Sequence, residues 1–538
     1  MRDISAVELF PFDSFREKQE KLLEVAERKL ENDQIDNVIV NAPTGVGKSA
    51  VNTALARKSD SAFMTTPQKK LRQQLADDAD LNPYYEVLRA RRDYICGESG
   101  DNCDDCWVNK SAYEKCSDFD GCTYWKQKNK CINDRIAVLT FAYLIVDSQM
   151  PDAGFNNREL LVVDEAQNID TQAAELYMGF EISPWELPFD IYNGALKGIS
   201  QKIKEDDDII SVVEKCHRRA EQYIEDNQDR EDVYVELKKC RSFVYSAGQM
   251  IRDYKLGNKW VVNMGFTSWN GQNVPTAKCK PISVGYFLRK NVWERAEKRV
   301  ISTATMMYRT NPEKWCWNIG LDPDRTSVIN VSMPFDVSNR PIYTGTIIGN
   351  MSSGGDDTHW PEIMETIDEL ANEHVGQRGL IHTASYKRAE RFYDDAYKFP
   401  TLKDNVYLHR TDSSDDIVEE WQKSDKDIMV TPSMTEGVDL KGDMCRWQAL
   451  MKVPFPSPAD SRVWYLLNKK PGTGWPWYYE KAACSIVQSA GRAVRSKDDW
   501  ASFYVLDGAF NKVRNRVDFP PWFEDAIIDE TFKTNSVI

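Results

Sequence analysis

The first 170 residues contain short apolar runs that alternate with stretches of helical periodicity. One run, at residues 35–41, leads directly into a glycine-rich turn and then into a helix-compatible stretch at residues 49–58. Two similar runs end at Pro67 and at Asp164. Continuous apolar and β-branched runs are typical of strands buried on both faces, and their alternation with helices favours a parallel sheet. The pattern predicts an α/β fold.

The pattern changes twice further along the chain. Residues 171–280 carry long polar and charged stretches with helical periodicity and few strand signals, which predicts a helical insertion. The sheet pattern returns at residues 299–302, and a second alternating series begins beyond residue 340. Because 538 residues are too many for one hydrophobic core, we predict two parallel-sheet domains, the first of which is interrupted.

Composition and charge limit the classes of protein. No run of eighteen apolar residues is present, and the N-terminal residues lack the basic and apolar segments of a secretion signal, which predicts a cytoplasmic protein without a membrane span. The formal charge of -15 disfavours a protein covered by basic surface. The 69 Lys and Arg residues are nevertheless enough to line a local groove for a nucleic-acid strand.

The glycine-rich turn has the spacing of a phosphate-binding loop. In such loops, successive backbone N–H groups converge on the β-phosphate of a nucleotide at a helix N-terminus. Here the Lys48 ammonium would reach the β- and γ-phosphates of ATP, and the Ser49 hydroxyl would ligate Mg²⁺. A chance match in a surface turn is the weaker interpretation, because a strand precedes the loop and a helix follows it. The loop comprises Ala42, Pro43, Thr44, Gly45, Val46, Gly47, Lys48 and Ser49, with Ala42 in place of the first glycine of the strict pattern.

Two carboxylates follow the third apolar run. Asp164 and Glu165 would lie at the carboxyl end of a buried strand, where parallel sheets bind their ligands. Alone, such a pair is more often a solvated strand end. Beside a phosphate loop, we expect Asp164 to hold Mg²⁺ and Glu165 to orient or deprotonate the attacking water.

A third group of candidate residues lies near the end of the second series. Gln488, Arg492 and Arg495 are spaced by four and three residues, which predicts one shared helix face. Two guanidiniums and an amide suit a γ-phosphate reached across a cleft, with an arginine stabilising the charge of the transition state. The alternative is a surface helix with salt bridges.

Six of the twelve cysteines fall within 36 residues. In a chain without a signal peptide, such a cluster indicates metal ligation rather than disulfides. Four thiolates can bind either zinc or a [4Fe–4S] cluster. By spacing alone, zinc is the metal that such cysteines bind more often. The six are Cys96, Cys103, Cys106, Cys116, Cys122 and Cys131.

The order of these motifs resembles that of the iron–sulfur superfamily 2 helicases of the XPD/DinG family. Arg16 and Gln19 resemble the upstream Q-motif that contacts the nucleotide base, and residues 164–167 resemble the DEAH box. Gln167 replaces the histidine of that box, an imidazole that in relatives links the nucleotide site to other motifs. Further matches are residues 65–67 with motif Ia, 302–305 with motif III, 379–386 with motif IV, 435–440 with motif V, which includes the nucleotide-site candidate Asp439, and Gln488, Arg492 and Arg495 with motif VI.

The resemblance implies that the cysteines hold a [4Fe–4S] cluster, since the family carries one between motifs Ia and II. Cys96 and Cys122 match the lead-in and lead-out of that region. Two of Cys103, Cys106 and Cys116 would complete the set, and Cys131 would be a bystander. Zinc stays the alternative metal.

The resemblance also implies two RecA-like motor domains with an iron–sulfur insertion and a helical arch-like insertion in the first. Closure of the two domains on ATP and Mg²⁺ would move the protein 5′ to 3′ along single-stranded DNA. It would act as a monomer on forked or 5′-tailed duplexes. One alternative is a nucleic-acid-stimulated ATPase or translocase without unwinding activity, and another is a zinc-containing nucleic-acid-binding protein. The predicted domains are residues 1–95, 136–170 and 281–335 for motor domain 1, 96–135 for the cysteine cluster, 171–280 for the arch and 336–538 for motor domain 2.

Overall fold

The structure is a computed structural model. It describes residues 2–66, 82–96, 100, 103, 122–148, 154–197, 199, 204–228, 230–305, 312–351, 355–410, 417–432, 440 and 442–530. Three candidate residues, Cys106, Cys116 and Asp439, lie outside the described residues, as do Pro67 and most of the motif V match.

The chain up to residue 177 alternates strands and helices as the apolar runs predict. A π-helical turn, Ala173–Tyr177, continues the last helix. The strands are β1 Asn37–Asn41, β2 Ala62–Thr66, β3 Glu86–Val87, β4 Ile136–Thr140 and β5 Arg158–Val163, and the helices are α1 Gln19–Leu30, α2 Lys48–Lys58, α3 Thr123–Asn133, α4 Phe141–Ser148 and α5 Ile169–Gln172.

The arch-like insertion contains a sheet as well as the predicted helices. Its elements are β6 Phe180–Ile182, α6 Phe189–Tyr192, α7 Ile210–Asn227, α8 Tyr234–Lys255, β7 Trp260–Trp269 and β8 Gln272–Pro281. The strands pair antiparallel in the order β6-β8-β7. Asn270 and Gly271 join β7 to β8 with φ of 48° and 77°, as a two-residue hairpin turn of the mirror-image type requires. An Asn-Gly pair is a strong hairpin signal, and the prediction of an insertion with few strands overlooked it.

The chain then returns to the first sheet through α9 Gly285–Asn291, β9 Ala296–Thr303, α10 Pro312–Ile319 and β10 Thr326–Asn330. The strand order is β10-β1-β9-β5-β2-β4-β3, and the strand pairs are parallel. Every residue of β1 and β2 is buried, since helices cover both faces of the sheet. This order places the carboxyl ends of β1, β9 and β5 side by side.

The second predicted motor domain follows. Its elements are β11 Ile342–Tyr343, α11 Gly355–Glu373, β12 Gly379–His382, α12 Tyr386–Ala396, β13 Val406–Leu408, α13 Ile417–Lys423, β14 Ile428–Thr431, β15 Trp447–Leu450, α14 Ser461–Lys469, α15 Pro471–Ala490, β16 Ser502–Val505, α16 Ala509–Arg514, α17 Pro521–Glu524 and β17 Ile527–Ile528. The strands form another parallel sheet, in the order β13-β14-β12-β15-β16-β11-β17. The prediction of two RecA-like parallel-sheet domains is therefore confirmed. Within the described ranges, no helix has both the length and the apolar character of a membrane span.

Candidate nucleotide-binding site

The glycine-rich loop connects the end of β1 to the start of α2. Gly45 and Gly47 have φ of 84° and 86°, in the left-handed region that favours glycine. Gly47 caps α2, and Ser49 follows Lys48 in the first turn of that helix. The loop thus presents a helix N-terminus at the carboxyl edge of the sheet, which is a favourable position for an anionic phosphate.

Side chains from inside and outside the loop hold its backbone. The buried Lys48 Nζ donates to Ala42 O at 3.0 Å and to Pro43 O at 3.4 Å. The Arg16 guanidinium donates to Gly45 O at 3.1 Å, and Gln19 Nε2 donates to Gly47 O at 3.1 Å. Arg16 and Gln19 therefore support the phosphate loop itself, while their predicted contact with a nucleotide base stays a prediction.

Asp164 and Glu165 lie beside this loop at the end of β5. The Asp164 N–H donates to Thr65 O at 3.0 Å, which holds the pair against β2. Burial and the neighbouring Glu165 carboxylate raise the pKa of Asp164 above its ordinary value, whereas the Lys48 charge acts in the opposite direction. A cation bound there would favour the ionised carboxylate. Glu165 has a φ of 53°, an unfavourable conformation for a residue other than glycine.

Gln167 connects Glu165 to the strand that carries the motif III match. Its Nε2 donates to Glu165 Oε2 at 2.7 Å, and its Oε1 accepts from Thr303 Oγ1 at 3.2 Å. An amide offers one donor group and one acceptor, as a neutral imidazole does. In this chain the Gln167 amide therefore links Glu165 to Thr303, although the histidine of the DEAH box is absent.

The predicted shared helix face is wrong for the two arginines. Helix α15 ends at Ala490, so Gln488 lies in its last turn, whereas Arg492 lies in the turn beyond it and Arg495 in the irregular segment after that turn. Just beyond the end of the helix the chain meets the phosphate loop, where Gly491 O accepts a hydrogen bond from Thr44 Oγ1 at 2.8 Å. A Cβ at Gly491 would lie 3.1 Å from that hydroxyl oxygen, so glycine permits the close approach.

The turn after α15 faces the phosphate loop across the boundary between the two sheets. A Cβ added to Gly45 would lie 3.2 Å from Arg495 O and 2.5 Å from the Phe335 ring. Arg492 is buried near the end of β12, and burial together with the Arg492 charge lowers the pKa of His382 to about 4. The structure thus brings this arginine-bearing turn of motor domain 2 to the phosphate loop of motor domain 1.

The described cysteines of the cluster gather in one region. Cys96, Cys103 and Cys122 are all buried. The Cys103 N–H donates to Tyr94 O at 2.9 Å, and Thr123 Oγ1 donates to Ile95 O at 3.0 Å, which ties both segments to the chain just before Cys96. Among the residues that the structure describes, however, no three His, Cys, Asp or Glu side chains are arranged to hold a metal ion.

Cys131 lies on α3. It has no exposed surface and belongs to the same apolar core as Cys103 and Cys122. Burial raises the pKa of the Cys131 thiol to about 12. That Cys131 is the bystander of the set stays a prediction.

Some contacts between the two sheets pair residues that no sequence motif connects. Lys481 Nζ on α15 lies 2.8 Å from the Asp170 carboxylate, and the two residues are 311 positions apart. Thr44 and Gly491 are 447 positions apart. No motif spacing connects residues at such separations, so only the packed structure identifies these pairs.

Comparisons with known proteins agree with this architecture. The model "Type III restriction enzyme, res subunit" matches residues 13–177, and the model "Helicase C-terminal domain" matches residues 369–526. The ATP-dependent DNA helicase DinG of Photobacterium profundum is 24% identical over 241 residues, which are 42% of this chain and 34% of that protein. The ATP-dependent DNA helicase CHL1 of Saccharomyces cerevisiae is 26% identical over 155 residues, 25% of this chain and 18% of that protein.

A solved structure, "XPD_Helicase", superposes with a TM-score of 0.63 at 15% identity. The superposition covers 96% of this chain and 100% of the other, which supports the same fold over nearly the whole length. The chain spans about a third or less of the length of the curated relatives it matches.

Proposed function

Because the chain belongs to the XPD/DinG-like helicases of superfamily 2, we propose that it is an ATP-dependent DNA helicase. We propose further that it acts as a monomer and moves 5′ to 3′ along single-stranded DNA. The observation that carries this proposal is the hydrogen bond between Thr44 and Gly491, which joins the phosphate loop of one sheet to the arginine-bearing turn of the other. Nucleotide bound at such a boundary can draw two domains together.

Each side of the cleft supplies its own part of the reaction. Lys48 and the loop N–H groups would bind the phosphates, and Glu165 would accept a proton from the attacking water. Ser49 and Asp164 would hold Mg²⁺, which neutralises phosphate charge when bound. Arg492 and Arg495 would approach the γ-phosphate from the second domain, with Gln488 beside them, and stabilise the charge that develops during transfer.

Strand displacement tests this function directly. We expect ATP-dependent release of a labelled strand from a forked duplex and from one with a 5′ single-stranded tail, and little release from one with a 3′ tail. Single-stranded DNA should also stimulate ATP hydrolysis. Stimulation without displacement from any of these duplexes would instead support the translocase alternative.

We propose that the clustered cysteines hold a [4Fe–4S] cluster. The support is chemical, because thiolates are the usual ligands of such clusters. The structure adds a second support, because the carbonyl oxygens of Tyr94 and Ile95 accept hydrogen bonds from Cys103 and Thr123. These bonds hold the chain at Cys103 and next to Cys122 against the segment that ends at Cys96. Cys106 or Cys116 would supply the remaining thiolate.

Replacement of Cys122 by serine is therefore expected to remove most of the iron and acid-labile sulfide from anaerobically purified protein, since serine is a poor ligand for such a cluster. The control is Cys131→Ser, which should retain both because Cys131 is the predicted bystander of the set; its thiol accepts a hydrogen bond from Gln127 Nε2 at 4.0 Å. Metal analysis of the wild-type chain distinguishes the metals. Zinc without sulfide would contradict the cluster.

Replacement of Gln167 by alanine should lower kcat for ATP hydrolysis by about tenfold with little change in KM. The reason is that the amide is hydrogen-bonded to both Glu165 and Thr303, so its loss leaves the water-activating carboxylate less well oriented. Gln167→His, which keeps a donor and an acceptor, should retain more of the activity. Equal activity of the alanine and wild-type proteins in steady-state assays would contradict this role.

A further inference from the structure

Helix α15 contacts motor domain 1 along its length, not only at its end. Cys484 Sγ donates to Thr305 O at 3.2 Å, and the Thr44 contact lies at Gly491. Two turns before Gln488, Lys481 reaches the segment that directly follows Glu165. The loop that carries the two catalytic carboxylates is therefore fastened to the second motor domain.

The Lys481 ammonium has three acceptors in that segment. Its Nζ lies 2.8 Å from Asp170 Oδ1, 3.1 Å from Gln167 O and 3.4 Å from Asn168 Oδ1. An ammonium has three N–H donors and no acceptor. All three donors can therefore bond to this one segment.

The partner carboxylate is held in its ionised form. Asp170 is buried, and Trp477 Nε1 donates to its Oδ2 at 3.4 Å, while Arg462 lies 3.8 Å from the same oxygen. Burial alone would raise the pKa of Asp170, but Lys481 and Arg462 outweigh it and lower the pKa to about 2. The ion pair is therefore intact at neutral pH, and removing Lys481 would leave the buried carboxylate with Arg462, 3.8 Å away, as its remaining counter-ion.

We propose that Lys481 is a positioning residue for ATP hydrolysis, which couples the orientation of Glu165 to contact between the two motor domains. This inference rests on the proposed function. Lys481 holds the Gln167 backbone, and the Gln167 side chain holds the Glu165 carboxylate. Glu165 needs such support because its left-handed backbone conformation is unfavourable by itself.

The arrangement makes hydrolysis depend on domain closure. When motor domain 2 separates from motor domain 1, Lys481 leaves the segment that follows Glu165, which then loses three hydrogen bonds, one of them the ion pair with Asp170. The Glu165 carboxylate is then held by fewer contacts. Small displacements of a catalytic group lower the reaction rate strongly. ATP is therefore hydrolysed efficiently only while α15 is seated on the loop.

Steady-state kinetics of Lys481→Met test this role. We expect kcat to fall by about 10- to 100-fold and KM to change by less than about threefold, since the phosphate-binding groups remain in place. Lys481→Arg should recover part of kcat because it keeps the charge. The control is Lys512→Met, an exposed lysine of α16 in the same domain, which should behave like the wild type. Unchanged kcat in Lys481→Met, or a change confined to KM, would overturn the proposal.

Hydrogen exchange provides a readout that does not depend on activity. Backbone amides of residues 165–172 should exchange at least about tenfold faster in Lys481→Met than in the wild type, and at the wild-type rate in Lys512→Met. Failure of the proposed function would appear as a wild-type chain that neither hydrolyses ATP nor responds to DNA. Failure of the positioning role would appear as unchanged exchange in this loop.

Discussion

Replacement of Lys48 by alanine is expected to lower the rate of ATP hydrolysis by more than about 100-fold. In the structure, this buried side chain lies over its own loop, with its ammonium bonded to the carbonyls of Ala42 and Pro43 at the end of β1. The Asp164 and Glu165 carboxylates lie close by. The measurement is phosphate release with saturating single-stranded DNA.

Two controls separate this effect from a loss of fold. Lys21→Ala removes an exposed lysine of α1 in the same domain and should leave turnover unchanged. Thermal unfolding of Lys48→Ala should show a cooperative transition, because the two lost hydrogen bonds cost only about 1–3 kcal/mol. A well-folded Lys48→Ala protein that hydrolyses ATP at the wild-type rate would refute the assignment of the loop.

Replacement of Arg492 by alanine is expected to reduce kcat by about 1000-fold, comparable to the loss of an arginine finger in other phosphoryl-transfer enzymes. Arg492 belongs to motor domain 2, whereas the phosphate loop belongs to motor domain 1. The Arg492 side chain would therefore stabilise the transition state more than it strengthens the initial binding of ATP. Binding of a fluorescent ATP analogue should change by less than about threefold.

The matched control for this variant is Arg218→Ala. Arg218 is an exposed arginine on α7 of the arch-like insertion, outside both parallel sheets, and its loss should change neither binding nor turnover. If Arg492→Ala weakened nucleotide binding while the turnover of bound ATP stayed normal, Arg492 would be a binding residue and not a group that acts in the transition state.

The nucleotide site was predictable where its residues are contiguous. The spacing of Gly45, Gly47 and Lys48 specifies a left-handed turn at the start of a helix, and the structure has that turn. Asp164 and Glu165 follow a run of apolar residues, and β5 does end at the carboxyl edge of the sheet, beside the phosphate loop. In both cases the local backbone largely decides where the side chains lie.

Other features required more than periodicity. The hairpin β7–β8 was missed although Asn270-Gly271 signals its turn, because charged helical stretches dominate the composition of the arch. The end of α15 was predicted several residues too late, since Arg492 and Arg495 continue the helical spacing. The helix ends at Ala490, and the carbonyl oxygen of the next residue, Gly491, accepts a hydrogen bond from Thr44. Helical periodicity carries no information about that contact.

The amino-acid sequence specifies the chemical groups of this protein and their order along the chain: a phosphate loop, two carboxylates, a cysteine cluster and two arginines. Each lies within a short stretch, so local spacing suffices to recognise it. The contact of Gly491 with Thr44 and that of Lys481 with the segment that follows Glu165 come from the packing of the chain in three dimensions. These contacts join residues more than 300 positions apart, and no local pattern specifies how the two sheets that carry them pack against each other.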